Sequence, residues 1–159
     1  MLISVEDPAR DDISALLAEH LADMFATSPA ESVHALDVAG LQVPAVTFWS
    51  VRDDDGVLLG CGALKEHSVT EAEIKSMRTT AAARGRGVAA TLLAELVRVA
   101  GERGYDRLNL ETGAEDYFAP ARRLYARHGF VECGPFADYV LDPNSIFMTR
   151  EVRPASPSG

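Results

Sequence analysis

The sequence predicts an α/β fold, a mixed and mostly antiparallel central sheet flanked by helices. Three observations point there. Short runs with strand character precede, separate and follow runs with helical periodicity. Two early strand runs are separated only by Asp53-Asp54-Asp55-Gly56, turn residues that suit an antiparallel hairpin. Residues 74–112 read strand, helix, strand, a single βαβ unit whose two strands run parallel. The 159 residues suit one domain of ordinary size, long enough for a substantial core. We expect that domain over residues 1–153 and a disordered tail over 154–159, which is small, polar and proline-containing.

Residues 2–5 form a short strand, followed by a helix over about 8–25 with Ile13, Leu16, Leu17, Leu21 and Met24 on one face. Thr27-Ser28-Pro29-Ala30-Glu31-Ser32 breaks that helix. Residues 43–51 and 57–64 are the hairpin strands, and 74–79 continues the sheet. From Val88, the positions Leu92, Leu93, Leu96, Val97 and Ala100 recur at helical spacing, and Gly101 and Gly104 place the stop. A strand over 107–112, a helix over 119–128 closed by Gly129, and strands over 130–133 and 145–151 complete the chain.

A hydrophobic fraction of 47% with 25% charged residues is that of a soluble globular protein. The longest apolar candidate, residues 88–100, is broken by Glu95 and Arg98, and no secretory signal is visible at Met1. We therefore expect a cytoplasmic protein that does not enter a membrane. Cys61 and Cys133 are far apart and outside any C-x-x-C, and His20, His34, His67 and His128 lack metal-ligand spacing, so reduced thiols and no metal are expected. A net charge of −9 disfavours nucleic acid and favours a cationic partner.

The join before the Val88 helix holds Arg84-Gly85-Arg86-Gly87-Val88-Ala89. Glycines there let the backbone turn sharply and approach a ligand, while the first free N–H groups of the helix and its dipole favour an anion. Arg84 and Arg86 add donors suited to phosphate. A second pattern overlaps: Gly85, Gly87 and Ala90 satisfy the G-x-G-x-x-A of a dinucleotide-binding turn, with Glu111 near the place of its ribose-binding acid. Against it, Thr80-Ala81-Ala82-Ala83 separates the strand from the first glycine, and a long segment precedes a motif with which the dinucleotide fold usually begins.

Two motifs, and the order of elements between them, resemble the GNAT family of N-acetyltransferases. A strand leading into R-x-x-G-x-A, here Arg84, Gly87 and Ala89, is similar to the family's pyrophosphate loop for acetyl-coenzyme A (acetyl-CoA). Leu124-Tyr125-Ala126-Arg127-His128-Gly129-Phe130 is similar to the family's L-Y-x-x-x-G-F segment. The resemblance covers about residues 45–150, with its motifs in 73–130. It implies a GNAT-like sheet with a splayed βαβ coenzyme site, acetyl-CoA as co-substrate and an amine as acceptor. By resemblance, the pantetheine arm pairs with the backbone of Met77, Arg78 and Thr79, and N–H groups of Gly85, Arg86, Gly87, Val88 and Ala89 hold the pyrophosphate. Tyr125 matches the family tyrosine that protonates the departing thiolate, and a backbone N–H near Met77 is placed to stabilise the thioester oxygen. The resemblance is also compatible with a homodimer.

An alkyl ammonium has a pKa of about 10.4, so a group must accept its proton before the nitrogen attacks. A carboxylate acting through water is the expected acceptor. Glu73 is the first candidate and Glu71 the second, since both can point the same way from the strand, and by resemblance similar positions hold the base in some members. Glu111, ending the partner strand, is the third. Each is also readable as a solvated strand-end charge. Glu31 and His34 stand where family members place residues covering the acceptor, and Tyr139 in the connection between the last strands is a further binding candidate. The chain departs from the family at Phe118, where many members carry asparagine; Tyr117-Phe118-Ala119-Pro120 offers aromatic surface instead, as a hydrophobic staple or a wall of the acceptor site.

These readings converge on a cytoplasmic, acetyl-CoA-dependent enzyme that moves an acetyl group directly to a primary amine of a small molecule or protein. The cysteines lack a matched base, which speaks against a covalent acetyl-enzyme. The alternative is a catalytically inactive acyl-CoA-binding regulatory module. No motif chooses among polyamines, amino acids, aminoglycosides and protein amino groups.

Overall fold

The computed structural model describes residues 1–152, so the tail expected at 154–159 lies outside the described residues. Among them, strands β1 (Leu2–Val5), β2 (Val46–Arg52), β3 (Leu58–Glu66), β4 (Glu71–Thr79), β5 (Arg107–Gly113), β6 (Val131–Cys133) and β7 (Ser145–Glu151) form a seven-stranded sheet in the order β1-β2-β3-β4-β5-β7-β6. Neighbours are antiparallel except β4 and β5, whose parallel pairing is what the βαβ pattern requires. Helices α1 (Asp11–Thr27), α2 (Val38–Leu41), α3 (Val88–Glu102) and α4 (Ala119–Arg127) complete the fold. The sequence did not suggest α2, because four residues are too few for a helical period to register. Its cap is local: the Asp37 carboxylate accepts the Gly40 N–H at 2.8 Å.

Alternation along β2 sends Phe48 into one core and Trp49 and Val51 into another, so the sheet is packed on both faces. Ile13, Leu16 and Leu17 of α1 cover the first, with Leu41, Cys61 and Ala63. Leu92, Leu93 and Leu96 of α3 cover the second, with Ile74, Leu108, Tyr125 and Phe130. Fully burying each such leucine contributes about 1.5–3 kcal/mol, which is what holds both helices on the sheet.

Two irregularities position the site. β4 and β5 pair only over Glu71↔Arg107, Ala72↔Leu108 and Glu73↔Asn109, and then part. Beyond that point β4 remains bonded to β3 and β5 to β7, so the facing edges of 74–79 and 110–113 lack the neighbour a continuous sheet would supply. The splay implied by the family resemblance is present.

The second irregularity is a bulge in β4. Cys61 pairs with Arg78 and Ala63 with Lys75, so Gly62 stands opposite both Ser76 and Met77, and Ser76 takes φ 56. Strict alternation would put Lys75 and Arg78 on opposite faces. The extra residue puts both on the α1 side, where Lys75 reaches the His34 carbonyl and Arg78 reaches Glu19 and Asp23.

Candidate active site

A cavity of about 680 Å³ occupies the splay, lined by α1, β4, the turn into α3, β5 and α4. One end is formed by Arg84, Gly85, Gly87, Val88 and Ala89. Gly85 and Gly87 have φ 77 and 76, the left-handed region that glycine enters without penalty, and no atom lies within 4 Å of where a Cβ would stand. Gly87 precedes α3 directly, so the N–H groups of Val88 and Ala89 have no intrahelical partner and the helix dipole adds positive potential. The cradle fits a pyrophosphate. Met77, Arg78 and Thr79 also line the cavity, whereas Arg86 is exposed outside it.

Tyr125 is placed by the end of its helix. The Tyr125 carbonyl accepts the Phe130 N–H and the Ala126 carbonyl accepts that of Gly129, both at 3.1 Å, with Gly129 at φ 87. That is a Schellman ending, and the Tyr125 and Phe130 rings meet across it with centroids 5.9 Å apart. The L-Y-x-x-x-G-F spacing is thus a helix stop that locks Tyr125 against the core while its side chain borders the cavity. Burial pushes its hydroxyl up to about 12, so at neutral pH it holds its proton.

The carboxylates divide sharply. Glu73 borders the cavity but is 1% exposed, with His67 Nε2 at 2.8 Å from one oxygen, and Lys75 Nζ at 3.2 Å and the Tyr139 hydroxyl at 2.8 Å from the other. Burial alone would raise its pKa; these partners together outweigh burial and lower it. Glu71 accepts from Asn109 Nδ2 at 3.2 Å and lies outside the lining. Glu111 borders the cavity, accepts from Ser145 Oγ at 2.7 Å and lies 3.2 Å from His34 Nδ1. Here burial outweighs the partners and holds the carboxyl above its ordinary 4.5.

The structure therefore brings Glu73, Glu111, His34 and Tyr125 to one cavity with the glycine turn. It does not bring Glu71, Arg86, Glu31 or Tyr139 to the lining: Glu31 is exposed in a single 3₁₀ turn, and Tyr139 sits behind Lys75 and Glu73. Phe118 is buried against Gly113, where any Cβ would overlap its ring, and with half-exposed Tyr117 it forms part of the wall. Lys75, His20 and Ser76 line the cavity without having been singled out in the sequence. A lysine inside a buried strand pattern was a usable signal for Lys75; a bulge and a helix face carry no local signal for the other two.

Among the described residues no helix is long and apolar enough to cross a membrane. Residues 13–130 match the family model described as Acetyltransferase (GNAT) family. The uncharacterized N-acetyltransferase YsnE of Bacillus subtilis (strain 168) is 48% identical over 152 residues, covering 96% of this chain and 100% of its own. The uncharacterized N-acetyltransferase YedL of Escherichia coli (strain K12) is 46% identical, covering 92% of each chain. A solved structure from Klebsiella pneumoniae, ascribed acyl-CoA N-acyltransferase function, superposes with a TM-score of 0.79 at 28% identity, covering 95% of this chain and 97% of the other. Glycine turn, splayed strands and capped tyrosine agree with these likenesses, and the chain belongs to the GNAT family of acetyl-CoA-dependent acetyltransferases.

Proposed function

We propose that the chain is a cytoplasmic N-acetyltransferase that moves the acetyl group of acetyl-CoA directly to a primary amine of a small molecule or peptide. The observation that carries this reading is Glu111, a partly buried carboxylate with a raised pKa that opens on the same cavity as the protonated Tyr125. A carboxylate shifted towards the working pH is a better proton acceptor than an ordinary one.

Glu111, directly or through a water, takes the proton of the ammonium. The neutral nitrogen attacks the thioester carbon, and the carbonyl electron pair moves onto oxygen, where a backbone N–H near Met77 stabilises the charge. Collapse breaks the C–S bond. The sulfur, whose thiol has a pKa of about 8.5, takes a proton from Tyr125. Tyr125 is reprotonated from solvent while Glu111 and the nitrogen release theirs to it, so the net products are the amide, free coenzyme A and one proton. Direct transfer is supported by the thiols: Cys61 is fully buried and pushed up to about 12, and neither cysteine borders the cavity.

The test is kcat/KM against pH for the wild type, Glu111→Gln and Glu73→Gln, with acetyl-CoA and a panel of primary amines. The base works when deprotonated, so activity falls as pH drops through its pKa, which burial places above 4.5 for Glu111. We expect an acid limb displaced upward, and Glu111→Gln to abolish it while lowering turnover about 10²- to 10⁴-fold. A limb below 4.5 that survives Glu111→Gln would move the role to Glu73, whose partners lower its pKa. Acetyl-CoA binding with no transfer to any amine would instead indicate the regulatory module.

A further inference from the structure

Among the described residues, five buried side-chain polar atoms have no hydrogen-bond partner, and four of them, His20 Nδ1, His34 Nδ1, Ser76 Oγ and Arg78 Nε, belong to residues that line this one cavity. The fifth, Glu115 Oε2, belongs to a residue outside the lining. Buried polar groups are almost always satisfied, so such a cluster is where an ordered water or a ligand is expected to supply the missing partners. His34 Nδ1 has the Glu111 carboxylate 3.2 Å away, which leaves His20, Ser76 and Arg78.

Arg78 dictates the chemistry, because an arginine N–H only donates. Its side chain is 6% exposed, and its far end is tethered: Nη2 donates to Glu19 at 2.5 Å and Asp23 at 2.6 Å, and Nη1 lies 3.4 Å from the Tyr117 hydroxyl. The tethers hold the guanidinium still and leave Nε–H without an acceptor. Glu19 and Asp23 satisfy the outer edge of the guanidinium, whereas its inner edge is dry and still has a donor to give. The bulge at Ser76 and Met77 is what turns Arg78 to this side. His20 stays neutral, since burial and then the charge of Arg78 lower its pKa to about 4, and it offers a hydrogen bond without a competing cation. In a chain of net charge −9, the lining carries Lys75, Arg78, Arg84 and Arg127 against only Glu73 and Glu111.

We propose that the amine acceptor also carries a carboxylate, as an amino acid does, which accepts hydrogen bonds from Arg78 Nε and Ser76 Oγ while the amine lies towards Glu111. The inference rests on the acetyltransferase reading and names its substrate class. The carboxylate then supplies the acceptor that Arg78 Nε–H lacks, which the second ammonium of a polyamine or aminoglycoside, a donor only, does not.

The experiment uses matched trios, an amino acid, its amide and the amine lacking the acid group, beside a polyamine and an aminoglycoside. Initial rates are measured for the wild type, Arg78→Gln and Ser76→Ala, and acetyl-CoA affinity is followed by calorimetry. We expect the acid to be preferred over its amide by about 10- to 100-fold in kcat/KM, and both variants to raise KM for the acid and shrink the preference with acetyl-CoA affinity unchanged. Ser76→Ala guards against a folding defect in Arg78→Gln, since it removes one hydroxyl and leaves the Glu19 and Asp23 contacts in place. Equal use of acid, amide and amine, or preference for the polyamine, overturns the proposal and leaves the acetyltransferase reading standing. Loss of acetyl-CoA affinity in both variants would give the unpartnered atoms to the coenzyme and also overturn it. If no amine is acetylated, the acetyltransferase reading fails, and titration of acids and amides into coenzyme A-saturated protein still decides: saturable binding of acids alone supports the carboxylate site, and its absence overturns it.

Discussion

Glu73 and Glu111 are the same residue type beside the same cavity, one buried and one partly buried, yet their pKa values move in opposite directions. Burial penalises both charges. Glu73 gathers a lysine, a histidine and a tyrosine, which more than compensate, while Glu111 has a serine and a histidine, which do not. A carboxylate already engaged on both oxygens is a structural anchor; one with spare capacity and a raised pKa is suited to moving a proton. Tyr125 is tuned by the same physics, since burial keeps its hydroxyl protonated, as the proposed proton donor must be. We expect Tyr125→Phe to lower kcat about 10²-fold while acetyl-CoA affinity stays near wild type. Single-turnover kinetics with calorimetry checks it, and lost affinity with normal turnover would contradict a proton-donor role.

At the scale of elements, the site is made of endings. β4 and β5 stop pairing after Glu73 and Asn109, α3 begins at a left-handed glycine, and α4 closes on another, and each ending leaves backbone groups or a side chain facing the cavity. Phosphate affinity should therefore depend on backbone shape at 84–89 as much as on charge. The double variant Arg84→Ala, Gly87→Glu removes one cation, puts a carboxylate in the cradle and forces a side chain onto φ 76. Calorimetry should show acetyl-CoA binding weakened at least about 100-fold while circular dichroism stays native, because about 2 kcal/mol at one charged contact already amounts to roughly 30-fold. Unchanged affinity would remove the pyrophosphate from this turn.

At the scale of the molecule, Lys75 ties together parts distant in sequence: it donates to Glu73 on its own strand, to the His34 carbonyl beyond α1 and to Tyr139 between β6 and β7. Replacing it with methionine leaves Glu73 charged and buried without its cation, which should cost about 3–5 kcal/mol in urea denaturation. A smaller loss would mean that His67 and Tyr139 suffice to hold the carboxylate. The order of strands and helices, the glycine turn and the Tyr125 helix stop were legible along the chain. Each rests on local physics: period, cap and turn residues lie within a few positions of what they specify. Residues Glu73 and Glu111 were legible as candidates but the opposite directions of their pKa shifts were not, and Lys75, His20 and Ser76 were not singled out at all. Those outcomes depend on burial, on a one-residue bulge and on partners more than thirty positions away, as with Lys75 and His34. No local pattern carries that information, because a carboxylate's pKa and a strand's facing are set by whatever the folded chain packs against them, and only the tertiary structure decides it.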